Sequence, residues 1–224
     1  MPNILQRLMR RLFWRGNAPS APVPERTEAT GENVLADLRA AIVREVAGGF
    51  TPPDQIAQYA VDYMAGEAEE AVLLREAPHM VREAVDAHRA AQANWPEVTD
   101  YDKLDAAFAA LEKSGVISRQ NFTCCGSCGA AEIWDEVEQA KRLGRVARGY
   151  AFFHQQDTDA AVEGDGLYLN YGACEDTPEA IIAVGREIVQ ALEVKGLKTD
   201  WDGRLEKRIG VQMDWKRRTM FIEG

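Results

Sequence analysis

The chain has 224 residues, of which 46% are hydrophobic and 28% charged, and a formal net charge of -10 at pH 7. That length buries one sizeable core or two small ones, and the composition is that of an ordinary soluble globular protein. The acidic balance excludes non-specific nucleic-acid binding, because phosphates would be repelled, and no run reaches the ~18 apolar residues of a membrane span.

Residues 1–15 read as an amphipathic basic helix. Ile4, Leu5, Leu8, Met9, Leu12 and Phe13 fall on one half of the helical wheel, and Arg7, Arg10 and Arg11 on the other, with Trp14 among them. Arginines interrupt the apolar residues, so this is not a secretory signal, and the expected compartment is the cytoplasm, where thiols stay reduced. Residues 16–30 carry Pro19, Pro22 and Pro24 among small polar residues and read as an extended linker. The tethered helix has two readings: docking on its own fold, or weak, salt-sensitive contact with an anionic membrane surface through residues 3–15.

Residues 31–145 are expected to be a helical region. Val34, Leu38, Ile42 and Val46 repeat every four residues and predict a helix over 32–47, ended by Gly48-Gly49. Thr51-Pro52-Pro53-Asp54 reads as the next start, with Thr51 as cap. Two further segments are expected near 68–75 and 78–92. Thr99 caps another, in which Leu104, Phe108 and Leu111 share a face before Gly115 stops it. The last helix of this region, 130–142, carries the cysteine cluster at its head.

From residue 146 the apolar period shortens. Tyr150–His154 and Leu167–Tyr171 read as aromatic-rich strands. Thr177-Pro178-Glu179 opens a helix bearing Ile181, Val184, Ile188 and Leu192, stopped at Gly196. Leu197–Trp201 and Ile209–Trp215 read as closing strands around the Asp202-Gly203 turn. The expected class is α+β: an N-terminal helical array, then a small, mainly antiparallel sheet covered on one face by the long helix at 178–194. Residues 146–224 are expected to pack with the array as one unit.

Cys124-Cys125-Gly126-Ser127-Cys128 is the chemically unusual stretch. Cys125 and Cys128 have the spacing at which two thiolates bind one metal ion, and zinc is the cofactor such a site suggests. A zinc site needs four ligands, so Cys124, His154 and Cys174 are candidates to join them, and Glu132 shares a helical face with Cys128. The same spacing at a helix N-terminus lowers a thiol pKa and supports disulfide exchange by Cys125 and Cys128. A third reading is that the cysteines are small buried hydrophobes. His154-Gln155-Gln156-Asp157-Thr158 forms a second polar knot. Either His154 and Asp157 form an acid–base pair, or Asp157 or Thr158 caps a short helical segment at 159–162. If the two motifs meet, Gln155, Asp157 and the N–H groups of the cluster helix are expected to line one polar pocket.

Asn121-Phe122-Thr123-Cys124-Cys125 with Cys128-Gly129, then Phe153-His154-Gln155-Gln156-Asp157-Thr158, Gly166-Leu167-Tyr168-Leu169 with Tyr171-Gly172, and Trp201-Asp202-Gly203, Arg208-Ile209 and Asp214-Trp215 resemble a bacterial domain family of unknown function. The resemblance spans roughly residues 100–218 and implies no particular activity. Cys174 stands outside its pattern. With no complete catalytic set in view, the expectation is a non-enzymatic module that binds a partner or small ligand, zinc-supported at the cluster. The alternative is a thiol-disulfide oxidoreductase.

Overall fold

The computed structural model describes residues 31–219 other than Ala68; the stretches 1–15 and 16–30 lie outside the described residues. Helices α1 (Gly31–Gly48), α2 (Pro53–Tyr63) and α3 (Glu70–Gln92) pack on one another. The four-residue stripe of α1 meets Ile56 and Ala60 of α2 and Leu73, Ala77, Met80 and Val81 of α3 in one apolar core. Thr51 does not cap α2. Pro52 holds the cap position without a side-chain bond, and the Thr51 hydroxyl donates instead to Glu45 on α1. The two segments expected at 68–75 and 78–92 are one helix of 23 residues that runs through Pro78. A proline inside a helix removes one backbone bond and crowds the carbonyl four residues back. Buried residues on both sides of Pro78 nevertheless keep one phase and face one core, so the helix continues.

Helix α4 (Asp100–Ser114) starts at the expected cap. Thr99 Oγ1 accepts from the Asp102 N–H at 3.2 Å, and Asp102 Oδ2 accepts from the Thr99 N–H at 2.7 Å. Gly115 ends it at φ +89°, in the left-handed region that glycine enters without a side-chain clash. Strand β1 (Val116–Arg119) follows at once, inside the stretch expected to be helical. The remaining elements are α5 (Gly126–Arg142), β2 (Gly149–Phe152), α6 (Gln155–Glu163), β3 (Leu167–Ala173), α7 (Pro178–Val194), β4 (Lys198–Asp200) and β5 (Ile209–Gln212). The sheet order is β1-β2-β3-β5-β4. β1 and β2 are parallel, with Val116 opposite Gly149 and Arg119 opposite Phe152; the other pairs are antiparallel.

Alternation along the strands sends side chains to two faces. Val116, Ala151, Phe153, Leu167 and Leu169 meet Leu104 and Phe108 of α4 and Val184, Ile188 and Leu192 of α7. Ile117, Tyr150 and Phe152 meet Ile133, Val137 and Ala140 of α5. The sheet is therefore covered on both faces at its parallel edge, where the sequence pointed to one. Beyond β5, which ends before Met213 and Trp215, the chain returns to the helical array. Trp215 Nε1 donates to the Ala47 carbonyl at 3.1 Å, and the Arg217 guanidinium lies 4.2 Å over the Phe50 ring and 5.2 Å over Tyr101. Among the described residues, no helix is long and apolar enough to cross a membrane.

Gly129, one turn into α5, lets that helix approach β2. A Cβ there would lie 2.4 Å from Cε2 of Phe152, whose ring is fully buried and has no room to yield. Overpacking of this kind costs about 1–3 kcal/mol, against the ~1 kcal/mol by which alanine exceeds glycine in a helix. Gly129→Ala is therefore expected to lower the urea midpoint with an unchanged slope; a midpoint that rises would contradict the packing described.

Candidate metal-thiolate site

Because β1 and β2 run parallel, their C-terminal ends leave the sheet at the same edge. The loop after β1 leads through Asn121–Cys125 into α5, and the two residues after β2 lead into α6. Two helix N-termini, each carrying partial positive charge, thus begin side by side. Backbone and side-chain bonds tie the two exits together. The Phe122 N–H donates to the Phe153 carbonyl at 2.8 Å, the Gln155 N–H to the Thr123 carbonyl at 3.1 Å, and Thr158 Oγ1 to Asn121 Oδ1 at 2.8 Å. Asn121 and Thr123 hold φ values of +48° and +62°. Left-handed backbone is unfavourable for a β-branched residue, and it persists only where the surroundings enforce it.

That turn, followed by the onset of α5, folds Cys124 back over the first helical turn. The sulfurs of Cys124, Cys125 and Cys128 lie within 4.8 Å of one another, and Cys124 Sγ is 3.6 Å from Cys128 Sγ. Cys124 is exposed, Cys125 and Cys128 are half-buried, and no cysteine is in a disulfide. Cys125 occupies the N-cap position of α5. Its thiol is held below the ordinary value, first by the backbone N–H of Cys128, then by the thiols of Cys128 and Cys124 and the N–H of Ser127. Its sulfur makes no cap hydrogen bond of full geometry, so these N–H groups act chiefly as dipoles aimed at a thiolate. Cys128 is pushed up to about 11 by the neighbouring sulfurs of Cys124 and Cys125. Of these two thiols, Cys125 is therefore the readier to ionise.

His154 lies beside the cluster but does not join it. Its ring packs on Gly126, where a Cβ would sit 3.4 Å from Nε2, and its nitrogens are not among the groups that converge with the three sulfurs. Its role is local: His154 is the N-cap of α6. Nδ1 accepts from the Asp157 N–H at 3.3 Å, and Asp157 Oδ2 accepts from the His154 N–H at 3.0 Å. The helix therefore starts at Gln155, ahead of the cap expected at Asp157 or Thr158. His154 Nε2 is 3.0 Å from Asp157 Oδ2, which also takes a 2.6 Å bond from Arg208 Nη2. Burial holds His154 below its ordinary pKa and Arg208 adds to this, outweighing the opposite pull of Asp157.

Gln155 and Asp157 face different surroundings. Gln155 bonds to the Tyr59 hydroxyl and lines a water-sized cleft with Glu45, Asn121, Thr158 and Asp159; Asp157 is not among its lining residues and lies buried under Arg208. Of the two residues that the sequence suggested would line one polar pocket, this cleft holds Gln155 alone. Glu132 is exposed on α5, outside the converging groups. Cys174 sits beyond the opposite end of β3. Asn170 pairs with Phe152 near the cluster, and Cys174 lies four residues on, roughly 13 Å along the strand.

Arg208 and Asn170 were not singled out for the site by their own chemistry. They occupy facing positions of β3 and β5, by extension of the Leu169–Ile209 pairing, and each has a buried nitrogen, Arg208 Nε and Asn170 Nδ2, without a protein partner. Adjacent donors of this kind are ordinarily bridged by water. Only the Arg208-Ile209 string, noted as part of the resemblance, pointed toward one of them.

The geometry defines an α+β domain with a three-cysteine surface cluster set where two parallel strands hand over to two helices. The chain belongs to the family described as Domain of unknown function (DUF6891), which it matches over residues 31–219. The match takes in the helical array as well as the roughly 100–218 stretch of the resemblance. No curated protein and no solved structure matches the chain.

The buried imidazole makes stability pH-dependent in a defined direction. With its folded pKa below the ordinary 6.5, neutral His154 contributes stability fully above that value, and the contribution is lost as pH falls from there through the folded pKa. Half-buried His88 is shifted the same way, also by burial. The urea midpoint is expected to drop between pH 7.5 and 5.5, and less steeply in His154→Asn, since asparagine keeps a capping acceptor without the titrating ring. An equally steep drop in the variant would refute the assignment.

Proposed function

We propose that this domain binds a soft or borderline metal ion, zinc foremost, through Cys124, Cys125 and Cys128, and that the bound ion anchors a partner or ligand. The observation that carries the reading is the convergence of three sulfurs at an exposed helix start. A tetrahedral ion with bonds of about 2.3 Å holds its sulfurs about 3.8 Å apart. The 3.6 Å between Cys124 and Cys128 is already close to that, whereas a disulfide would need a sulfur separation near 2.05 Å. Thiolate sets favour zinc and copper(I) among biological metals. Two helix N-termini offset the accumulation of negative charge, and the bonded, left-handed loop holds the sulfurs together before any ion arrives. His154 supports this site from behind Gly126 instead of supplying a ligand.

The protein purified under reducing conditions is expected to carry about one equivalent of metal, measured by mass spectrometry. Cys125→Ser and Cys128→Ser should each reduce this at least tenfold. The cluster cysteines belong to none of the three apolar cores. Chelation is accordingly expected to speed amide exchange over 122–128 and to leave far-UV dichroism unchanged.

One observation favours a second reading, thiol–disulfide exchange by Cys125 and Cys128. The first thiol is lowered and the second raised, as suits an attacking and a resolving cysteine. Metal-free protein whose Cys125 reacts with a maleimide faster than in the unfolded chain would favour exchange. Metal-free protein with slow thiols would remove both readings.

A further inference from the structure

We propose that a metal ion held by Cys124, Cys125 and Cys128 takes its fourth ligand from outside the chain, and that this ligand is a thiolate. The inference rests on the metal-site reading above and adds the class of ligand that the site receives.

The thiols and imidazoles of the chain can be followed one by one, because all four cysteines and all three histidines lie among the described residues. Cys174 is at the far end of β3, beside Lys141 of α5. Lys141 is in the last turn of that helix and Cys128 in its first, so about 20 Å of helix lies between them. His79 pairs with Glu83 on the helical array. His88 packs edge-on against Trp95 and approaches the Arg217 carbonyl. His154 uses Nδ1 as a helix cap and turns Nε2 toward Asp157. No further thiol or imidazole reaches the cluster without dismantling another contact.

The position is also reachable. Cys124 is exposed, and the cluster heads a surface helix, so a group on another molecule can approach the ion while the loop stays in place. Charge then selects the ligand. Three thiolates on a divalent ion leave a net charge of -1, which weakens its pull on a bound water and disfavours hydrolytic chemistry. A soft ion in a sulfur-rich set instead favours a fourth sulfur. The N-termini of α5 and α6 supply the positive potential that an incoming thiolate needs. The sulfur can come from a small thiol or from a cysteine on a protein surface, a second copy of this chain included. The bond change is a simple exchange: the metal–water bond breaks, a metal–sulfur bond forms, and the thiol proton passes to solvent.

The test uses the full chain loaded anaerobically with one equivalent of cobalt(II), whose sulfur charge-transfer absorption counts thiolates. Addition of 2-mercaptoethanol or glutathione is expected to raise that absorption by roughly one third, as four thiolates replace three, while ethylene glycol leaves it unchanged. A rise with protein concentration alone, with two chains per ion by native mass spectrometry, supports the proposal with a second copy as the source. Absence of any charge-transfer absorption defeats the metal-site reading itself. Absorption that is present but insensitive to thiols and to protein concentration overturns only the present inference. His154→Asn and Cys174→Ser then tell which internal group fills the position: a spectral change in either variant names it, and no change in both assigns water or a carboxylate.

Discussion

Val116 to Arg119 pair in parallel with Gly149 to Phe152, and that pairing constrains everything built around it. Parallel neighbours cannot be joined by a tight turn; the chain must cross over one face before it returns. Helix α5 is that crossover, and its apolar stripe of Ile133, Val137 and Ala140 covers Ile117, Tyr150 and Phe152. The same geometry brings the exits of β1 and β2 to one edge. The cysteine loop and His154 are neighbours for that reason.

The two exits then settle different electrostatic problems with different residues. At α6 the problem is burial: Asp157 and His154 are almost wholly removed from water, and Arg208 reaches across from the β5 side to neutralise the carboxylate. Removing one partner of such a group leaves the other uncompensated, a far larger effect than the loss of an exposed ion pair. At α5 the problem is accumulation. Three sulfurs share a small volume at the surface, and the neighbouring sulfurs of Cys124 and Cys125 make the Cys128 thiol hard to ionise. The buried His154–Asp157 pair, with Arg208 over it, is a fixed structure, whereas the thiols retain chemistry. Gly126 stands between them, with the His154 ring lying against the start of the cluster helix.

Much of the helical architecture was legible because it follows local rules. The α1 stripe, the Thr99 and Thr177 caps, and the Gly115 and Gly196 stops all act within one or two turns. Strand β1 was not legible, since four residues are too few to establish a period and its partner lies more than thirty positions away. Pro78 suggested a break that the continuous buried face of α3 overrides. The cap of α6 was misplaced because histidine is not among the side chains that ordinarily cap helices; its Nδ1 acts in that place here. The cysteine spacing was visible at once. Its surroundings were not, because Arg208, Asn170 and the left-handed Thr123 acquire meaning only through tertiary pairing.

The segment after β5 links the helical array to the sheet through Trp215, Arg217 and Arg218, which touch residues as early as Ala47 and Phe50. During synthesis it is made after every element it joins. The array and the sheet can each collapse around apolar residues already translated, and they already meet through Phe50 with Phe153 and Arg44 with Glu163, but the contacts of Trp215 and Arg217 over Phe50 and Tyr101 form only once residues 215–218 have emerged. Until then Phe50 and Tyr101 pack on each other and Phe50 on Phe153, but both rings lack the cationic cover that Arg217 gives them in the finished fold.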